Sequence, residues 1–232
     1  MPDRFILAMD AAGDTCSVAL GVAAANGLDL RASEKLEMKH GHATALVPMI
    51  EAVMKKAGSD LAALSEIAVG NGPGGFTGLR IALSTARGLG LALGKPVLGI
   101  SNFQAAAAQL PFLSRQALAG DILVLIDSRR EEPYVARLDA DLLFRDTPRF
   151  MTLEEIAGDI AAHPPALVTG DGIDLWHGTW PVVTKMQPAA ADALSILSLA
   201  ADPAGRYAGK AVPLYLRPAD VSLPKAPSPG TR

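Results

Sequence analysis

A run of small residues, Gly70-Asn71-Gly72-Pro73-Gly74-Gly75, lies between the apolar stretch Ile67-Ala68-Val69 and a long apolar segment from Thr77 to Leu93. A short apolar run that ends in glycines and leads into a helical pattern reads as a strand crossing tightly into a helix. Glycine tolerates positive φ and lets two backbones meet with no side chain between them. Gly94 is placed to close that helix. Strand, glycine turn and helix in this order point to a layered α/β protein. Its residues are 50% hydrophobic but only 5% aromatic, so small aliphatic side chains must build the core and let the layers approach closely.

Gly70-x-Gly72-x-x-Gly75 formally matches a dinucleotide-binding fingerprint, and its strand-to-helix context is the one that motif needs. Such a site also needs an acidic residue near the end of the next strand, and Val97 to Ser101 supplies none. A phosphate-binding P-loop needs lysine after its last glycine, whereas Phe76-Thr77 stands there. Two readings stay open. The glycines serve a tight crossover, or they leave N–H groups at the start of the Thr77 helix for an anion or a partner's acid.

The rest of the chain supports the α/β reading. Phe5 to Met9 and Cys16 to Ala24 predict a β-hairpin around Ala11-Ala12-Gly13-Asp14, and Asp29 to Met38 predicts a third strand. From Ala43, apolar residues recur every three or four positions through Ala57, with Pro48 expected in the first turn and Gly58 at the end. Pro96 to Ile100 reads as another strand. A second half begins after Gln109, where Ile122 to Ile126 and Tyr134 to Leu138 repeat the strand–turn–strand order of the N-terminus. A helix over Leu153–Ala162, a strand over Ala166–Thr169, an Ala-rich helix over Ala189–Ala201 and a further segment over Val212–Leu216 follow. The expected division is 1–108, 109–217 and a proline-rich mobile tail, 218–232.

The net charge of −3 and pI near 5.8 argue against a protein that grips a nucleic acid backbone by itself. Lys55-Lys56 and Arg129-Arg130 are the densest basic pairs and read as solvated charges. One cysteine, Cys16, excludes an internal disulfide and reads as a core thiol in a reducing compartment. No apolar stretch reaches the ~18 residues of a membrane span, and the N-terminal apolar run meets Asp10 too soon for a signal peptide. A cytoplasmic location is expected.

The segment from Gly70 to Ile81, GNGPGGFTGLRI, closely resembles the GRGPGSFTGLRIG signature of the TsaB (YeaZ) family. Further matches keep order and spacing along nearly the whole chain. They are Ile6 to Leu20, ILAMDAAGDTCSVAL; His40 with Leu46 to Ile50; Asp127-Ser128-Arg129-Arg130; and Pro213-Leu214-Tyr215-Leu216-Arg217. Departures are Gly75 for the family's serine, Ala82 for its glycine, Ala11-Ala12 for Thr-Ser and Glu131-Glu132-Pro133 for Gly-Glu-Val. The resemblance implies an actin-like (ASKHA, RNase H-like) α/β fold with two subdomains of mixed sheet flanked by helices. It also implies a non-catalytic role beside TsaD, the transferase that makes threonylcarbamoyladenosine at position 37 of tRNA.

Actin-like kinases need two cleft carboxylates, one for the acceptor hydroxyl and one for magnesium. Asp10 and Asp127 end strands at suitable places, and each serves equally well as a turn cap. Asp10, Gly72, Pro73, Gly74, Gly75, Thr77 and Arg80 form the candidate glycine-loop site, a degenerate nucleotide site at most. No catalytic set and no metal site are expected. His40 and His42 are too close in sequence to share a helical face, and His163 and His177 are remote.

The Thr77 helix has almost no polar face, and Ala82, Ala86 and Gly90 form a four-residue ladder. Burial inside the chain and burial under a partner helix both fit. The resemblance implies that Leu46, Ile50, Leu79, Leu83, Ala86, Arg87 and Gly90 meet TsaD, or a second copy when TsaD is absent. It further implies recruitment of the ATPase TsaE, tRNA contact only through the complex, and no cofactor of its own, with any ATP or ADP at the partner interface. Two rival classes are an active actin-fold phosphotransferase acting on a small hydroxylated substrate and a self-contained structural homodimer.

Overall fold

The hairpin predicted at the N-terminus forms from β1 (Arg4–Asp10) and β2 (Thr15–Ala24), with Asp10 opposite Ser17. β3 (Gly27–Glu37) continues the sheet as its outer strand. The computed structural model describes residues 3–176, 186, 187 and 189–216. Helix α1 (His42–Lys56) buries Leu46, Met49, Ile50, Val53 and Met54, the stripe its spacing predicts. Because α1 starts at His42, Pro48 sits in the second turn instead of the first. The hydrogen bond it cannot donate is the one to the Thr44 carbonyl, and Pro48 is exposed, where water can replace it.

β4 (Glu66–Gly70), α2 (Phe76–Leu93) and β5 (Val97–Ile100) complete the first repeat, and Gly94 caps α2 in the left-handed conformation at φ 64°. Two short helices, α3 (Asn102–Ala108) and α4 (Phe112–Gln116), lead to the second half. There β6 (Ile122–Ile126), β7 (Tyr134–Leu138), β8 (Arg149–Phe150), α5 (Leu153–Ala162), β9 (Leu167–Thr169) and β10 (Met186–Gln187) follow. The chain returns through α6 (Ala193–Ala200) and β11 (Gly209–Lys210).

The strand orders β3-β2-β1-β4-β5 and β8-β7-β6-β9-β10 are the same, and in each the first strand pairs antiparallel on one side and parallel on the other. The halves are thus one topology used twice, which is the actin-like arrangement. Helices α1 and α2 cover the outer face of the first sheet, α3 and α6 fill the space between the sheets, and α5 covers the second. Alanines 105–107 of α3 and Ala8, Ala19 and Ala68 of the first sheet are fully or almost fully buried in the middle layer. Their small volumes let the helices lie close to the strands.

Three expectations shift. The division at residue 108 is crossed by α6, which packs on the first sheet, and by β11, which pairs with β5. The Ala189–Ala201 helix is shorter because Asp192 caps it, accepting the Ser195 N–H while Ser195 accepts that of Asp192. The further segment over Val212–Leu216 forms no regular element; the strand pairing on β5 is made just before it, by Gly209–Lys210, and Leu214 donates its N–H to the Asn71 carbonyl. His177, Arg217 and the tail 218–232 lie outside the described residues.

Candidate functional site

The ends of β1 and β6 meet at a narrow cleft between the halves. Asp10, fully buried, accepts hydrogen bonds from the Ala12 N–H at 3.1 Å and from Asn102 Nδ2 at 3.0 Å. Asn102 in turn accepts the Gly72 N–H at 3.0 Å, and its own N–H donates to the Gly72 carbonyl. One amide side chain therefore staples Asp10 to the glycine loop. Across the cleft, Asp171 accepts the Asp127 N–H at 3.0 Å. Arg129, whose φ is +63°, bridges the two halves with Nη1 2.9 Å from Asp14 and 3.3 Å from Asp127.

Burial pushes Asp10 up to about 6, with the Asn102 hydrogen bond opposing and the charges of Asp192 and Asp171 adding to the rise. Burial also pushes Asp171 up to about 6, the bond from Asp127 opposing it and the charge of Asp127 adding. Both carboxyls hold a proton in the folded chain at a pH where the unfolded chain, near 3.8, has released it. Their contribution to stability is therefore full below pH 3.8 and is lost as pH rises through about 6. In Asp10→Asn that decline should be shallower by roughly half, since two groups share it. Urea midpoints measured from pH 4 to 7 check this; an unchanged slope would place the titration elsewhere.

Asp10, Pro73, Gly74, Asn102, Ile126 and Asp171 are among the described residues that line a cavity of about 10 Å³ in the cleft. That is room for about one water, against roughly 300 Å³ or more for a small-molecule site. The glycine loop closes it from one side. The Gly75 N–H donates to the Ala12 carbonyl at 2.7 Å, so the first amide of the helix entrance meets the chain's own backbone instead of an anion. Gly72 needs its freedom, at φ +98°. A Cβ at Gly78 would lie 1.8 Å from the Ala11 carbonyl oxygen, so α2 rests directly on the Ala11-Ala12 turn.

The candidate loop residues separate. Asp10, Pro73 and Gly74 line the cavity, Gly72 holds Asn102, and Gly75 holds Ala12. Thr77 is exposed, and Arg80 turns to the outer surface. There its guanidinium lies 3.6 Å from the Phe76 ring centroid and its Nε donates to Tyr215 Oη at 2.8 Å. Asp127 ends in a turn with Arg129 and is absent from the cavity wall. Cys16 is fully buried, and burial pushes its thiol up to about 11. Among the described residues no group of three His, Cys, Asp or Glu is placed to hold a metal.

Sequence reasoning did not single out Asn102 or Asp171. Asn102 stands one residue past the strand end searched for an acid, and its amide takes up the contacts there. Asp171 follows Gly170, and a Cβ at that glycine would lie 1.9 Å from the Leu125 carbonyl oxygen, a closeness no spacing announces.

The two helices facing outward differ from expectation. Leu46, Ile50, Leu79, Leu83, Ala86 and Gly90 are all buried in the first half's own core. A Cβ at Gly90 would lie 2.3 Å from Val97 Cγ2, so the small-residue ladder fits the home sheet. They form the inward side of α1 and α2, not a free one. Of the proposed partner residues only Arg87 is exposed. The outward stripe is Arg80, Ser84, Arg87, Gly88 and Leu91, with Val47 of α1 half exposed. Leu91 is 87% exposed, and a Cβ at Gly88 would meet nothing within 4 Å.

The model of the family TsaD, tRNA N6-adenosine threonylcarbamoyltransferase, matches residues 35–147. A protein of Haemophilus influenzae named tRNA threonylcarbamoyladenosine biosynthesis protein TsaB is 30% identical over 71% of this chain and 66% of its own. An uncharacterised protein of Mycobacterium tuberculosis is 32% identical over 93% of this chain and 92% of its own. The solved structure of YeaZ from Pseudomonas aeruginosa superposes with a TM-score of 0.72 at 28% identity, covering 92% of this chain and all of that one. The chain belongs to the TsaB (YeaZ) family. In this TsaB-family chain the Ala11-Ala12 pair is buried. Those two residues lie under the glycine loop, where Ala12 offers its carbonyl and not a side chain to Gly75. No helix among the described residues is long and apolar enough to cross a membrane.

Proposed function

We propose that this chain is a non-catalytic subunit of tRNA threonylcarbamoyladenosine biosynthesis, which pairs with the transferase TsaD through the outer face of α1 and α2. The observation that carries the reading is the exposed stripe centred on Gly88 and Leu91. A glycine inside a helix costs about 1 kcal/mol relative to alanine, and among the described residues nothing lies within 4 Å of where a Cβ at Gly88 would stand. A leucine left 87% exposed beside it fits a close helix–helix contact that a partner completes. The non-catalytic part is supported by the cleft, where the described residues leave a cavity of about 10 Å³ between Asp10 and Asp171, too small for a nucleotide. In this reading the chain holds TsaD in its active arrangement and helps recruit the ATPase TsaE, while tRNA is met only by the complex.

Reconstitution tests it. Purified TsaD, TsaE, carbonate, threonine, ATP, the adenylate-forming enzyme and tRNA are expected to produce threonylcarbamoyladenosine only when this chain is added. This chain alone should produce none. Full product without it would overturn the reading, and magnesium-dependent ATP turnover by the isolated chain would favour a phosphotransferase instead.

A further inference from the structure

At the opposite end of the first sheet from Asp10, a pocket of about 550 Å³ opens where β1 begins, β2 ends and α6 terminates. Its volume falls within the range of small-molecule sites, roughly 300–1,000 Å³. Part of the wall is apolar, made by the small side chains of Ala23, Ala24 and Ala108 together with Leu28 and Leu199. The charged part comprises Arg4, Arg115 and Arg206 against one carboxylate, Asp202.

These cations are held in place before anything binds. Arg4 donates to the carbonyls of Ala200 and Ala201 and pairs with Glu66 at 2.7 Å. Arg115 is buried and donates to the carbonyls of Ala108, Leu110 and Ala140. Arg206 pairs with Asp202 at 2.9 Å and lies 5.2 Å from the Tyr207 ring centroid. Glu66 and Asp141, two further carboxylates near these guanidinium groups, are not part of the wall. The pocket therefore presents guanidinium groups over an apolar floor, with most counter-charges behind them. Burial lowers the pKa of Arg115, a cost to its charge that a nearby anion would reduce.

We propose that this pocket binds a small organic anion with an apolar body, the body resting on the alanines and Leu28 and the anionic head facing the arginines. Preset donors cost little ordering on binding, and charge-assisted bonds to guanidinium favour a carboxylate, sulfonate or phosphate head. The site is separate from the α2 stripe, because it lies on the α6 side of the sheet.

The probe is 8-anilinonaphthalene-1-sulfonate, titrated into the whole chain and followed by fluorescence. One saturable site with blue-shifted emission is expected, weakened about tenfold by Ala24→Trp, which fills the pocket, and about tenfold by Arg206→Glu. Leu91→Glu should leave binding unchanged. N-phenyl-1-naphthylamine, which has the rings without the sulfonate, should bind more weakly. Melting curves accompany each variant, and if Ala24→Trp fails to fold, Arg206→Glu alone decides. Unsaturable binding, equal affinity in the folded pocket variants, loss in Leu91→Glu, or equal binding of the neutral compound would overturn the proposal.

Discussion

Leu91→Glu is expected to weaken association with TsaD about thirtyfold or more while leaving the chain folded. Leu91 is 87% exposed, so the isolated chain loses almost no packing, and such surface changes usually alter stability by less than ~0.5 kcal/mol. In a complex the same carboxylate would be desolvated at the centre of an apolar contact. A central anchor of this kind contributes about 2 kcal/mol or more, roughly thirtyfold in affinity. Gly88→Arg should act in the same direction by holding the helices apart. Light scattering after size-exclusion chromatography reads both, and a complex of unchanged strength in both variants would move the interface off α2. Leu83→Glu cannot make this test: Leu83 is 3% exposed, and an unpaired carboxylate there would unfold the chain before any interface was questioned.

Gly78→Ala is expected to cost about 3 kcal/mol, the upper end of an overpacking change, and to lower the melting temperature by roughly 10 °C. The new Cβ would lie 1.8 Å from the Ala11 carbonyl oxygen and 2.9 Å from its carbon, both backbone atoms that no rotamer change can move. Helix α2 would have to lift from the β1–β2 turn, breaking the bond from Gly75 to Ala12. Gly88→Ala, ten positions along the same helix, is the control with the opposite sign. It meets open space and should stabilise the isolated chain by roughly 0.5–1 kcal/mol. Scanning calorimetry on both decides, and a loss of only one or two degrees in Gly78→Ala would show that α2 slides freely over the turn.

The contrast between these two glycines marks where sequence reasoning stops. Helical spacing sets Gly88 beside exposed Ser84 and Gly78 beside buried Ala82, but no spacing announces how closely the Ala11 carbonyl approaches Gly78. Local chemistry alone sufficed for α1, for α2 with its Gly94 cap, for the β1–β2 hairpin and for β6 and β7, because periodicity and turn residues act within a few positions of themselves. The signature around the glycine loop was enough to point to the family. The face of α2 that the sheet takes was legible in part: Arg80, Ser84 and Arg87 recur at helical spacing and mark the outward side, a signal that the many apolar residues around them obscure. What spacing does not give is the close fit, Gly90 against Val97 and Gly78 against Ala11, that turns Leu79, Leu83 and Ala86 inward and leaves Leu91 out. The same holds for Asn102 and Asp171. They come to one cleft from separate repeats, brought together by the stacking of two sheets about α3 and α6, a relation among residues far apart in the chain that no short-range pattern encodes.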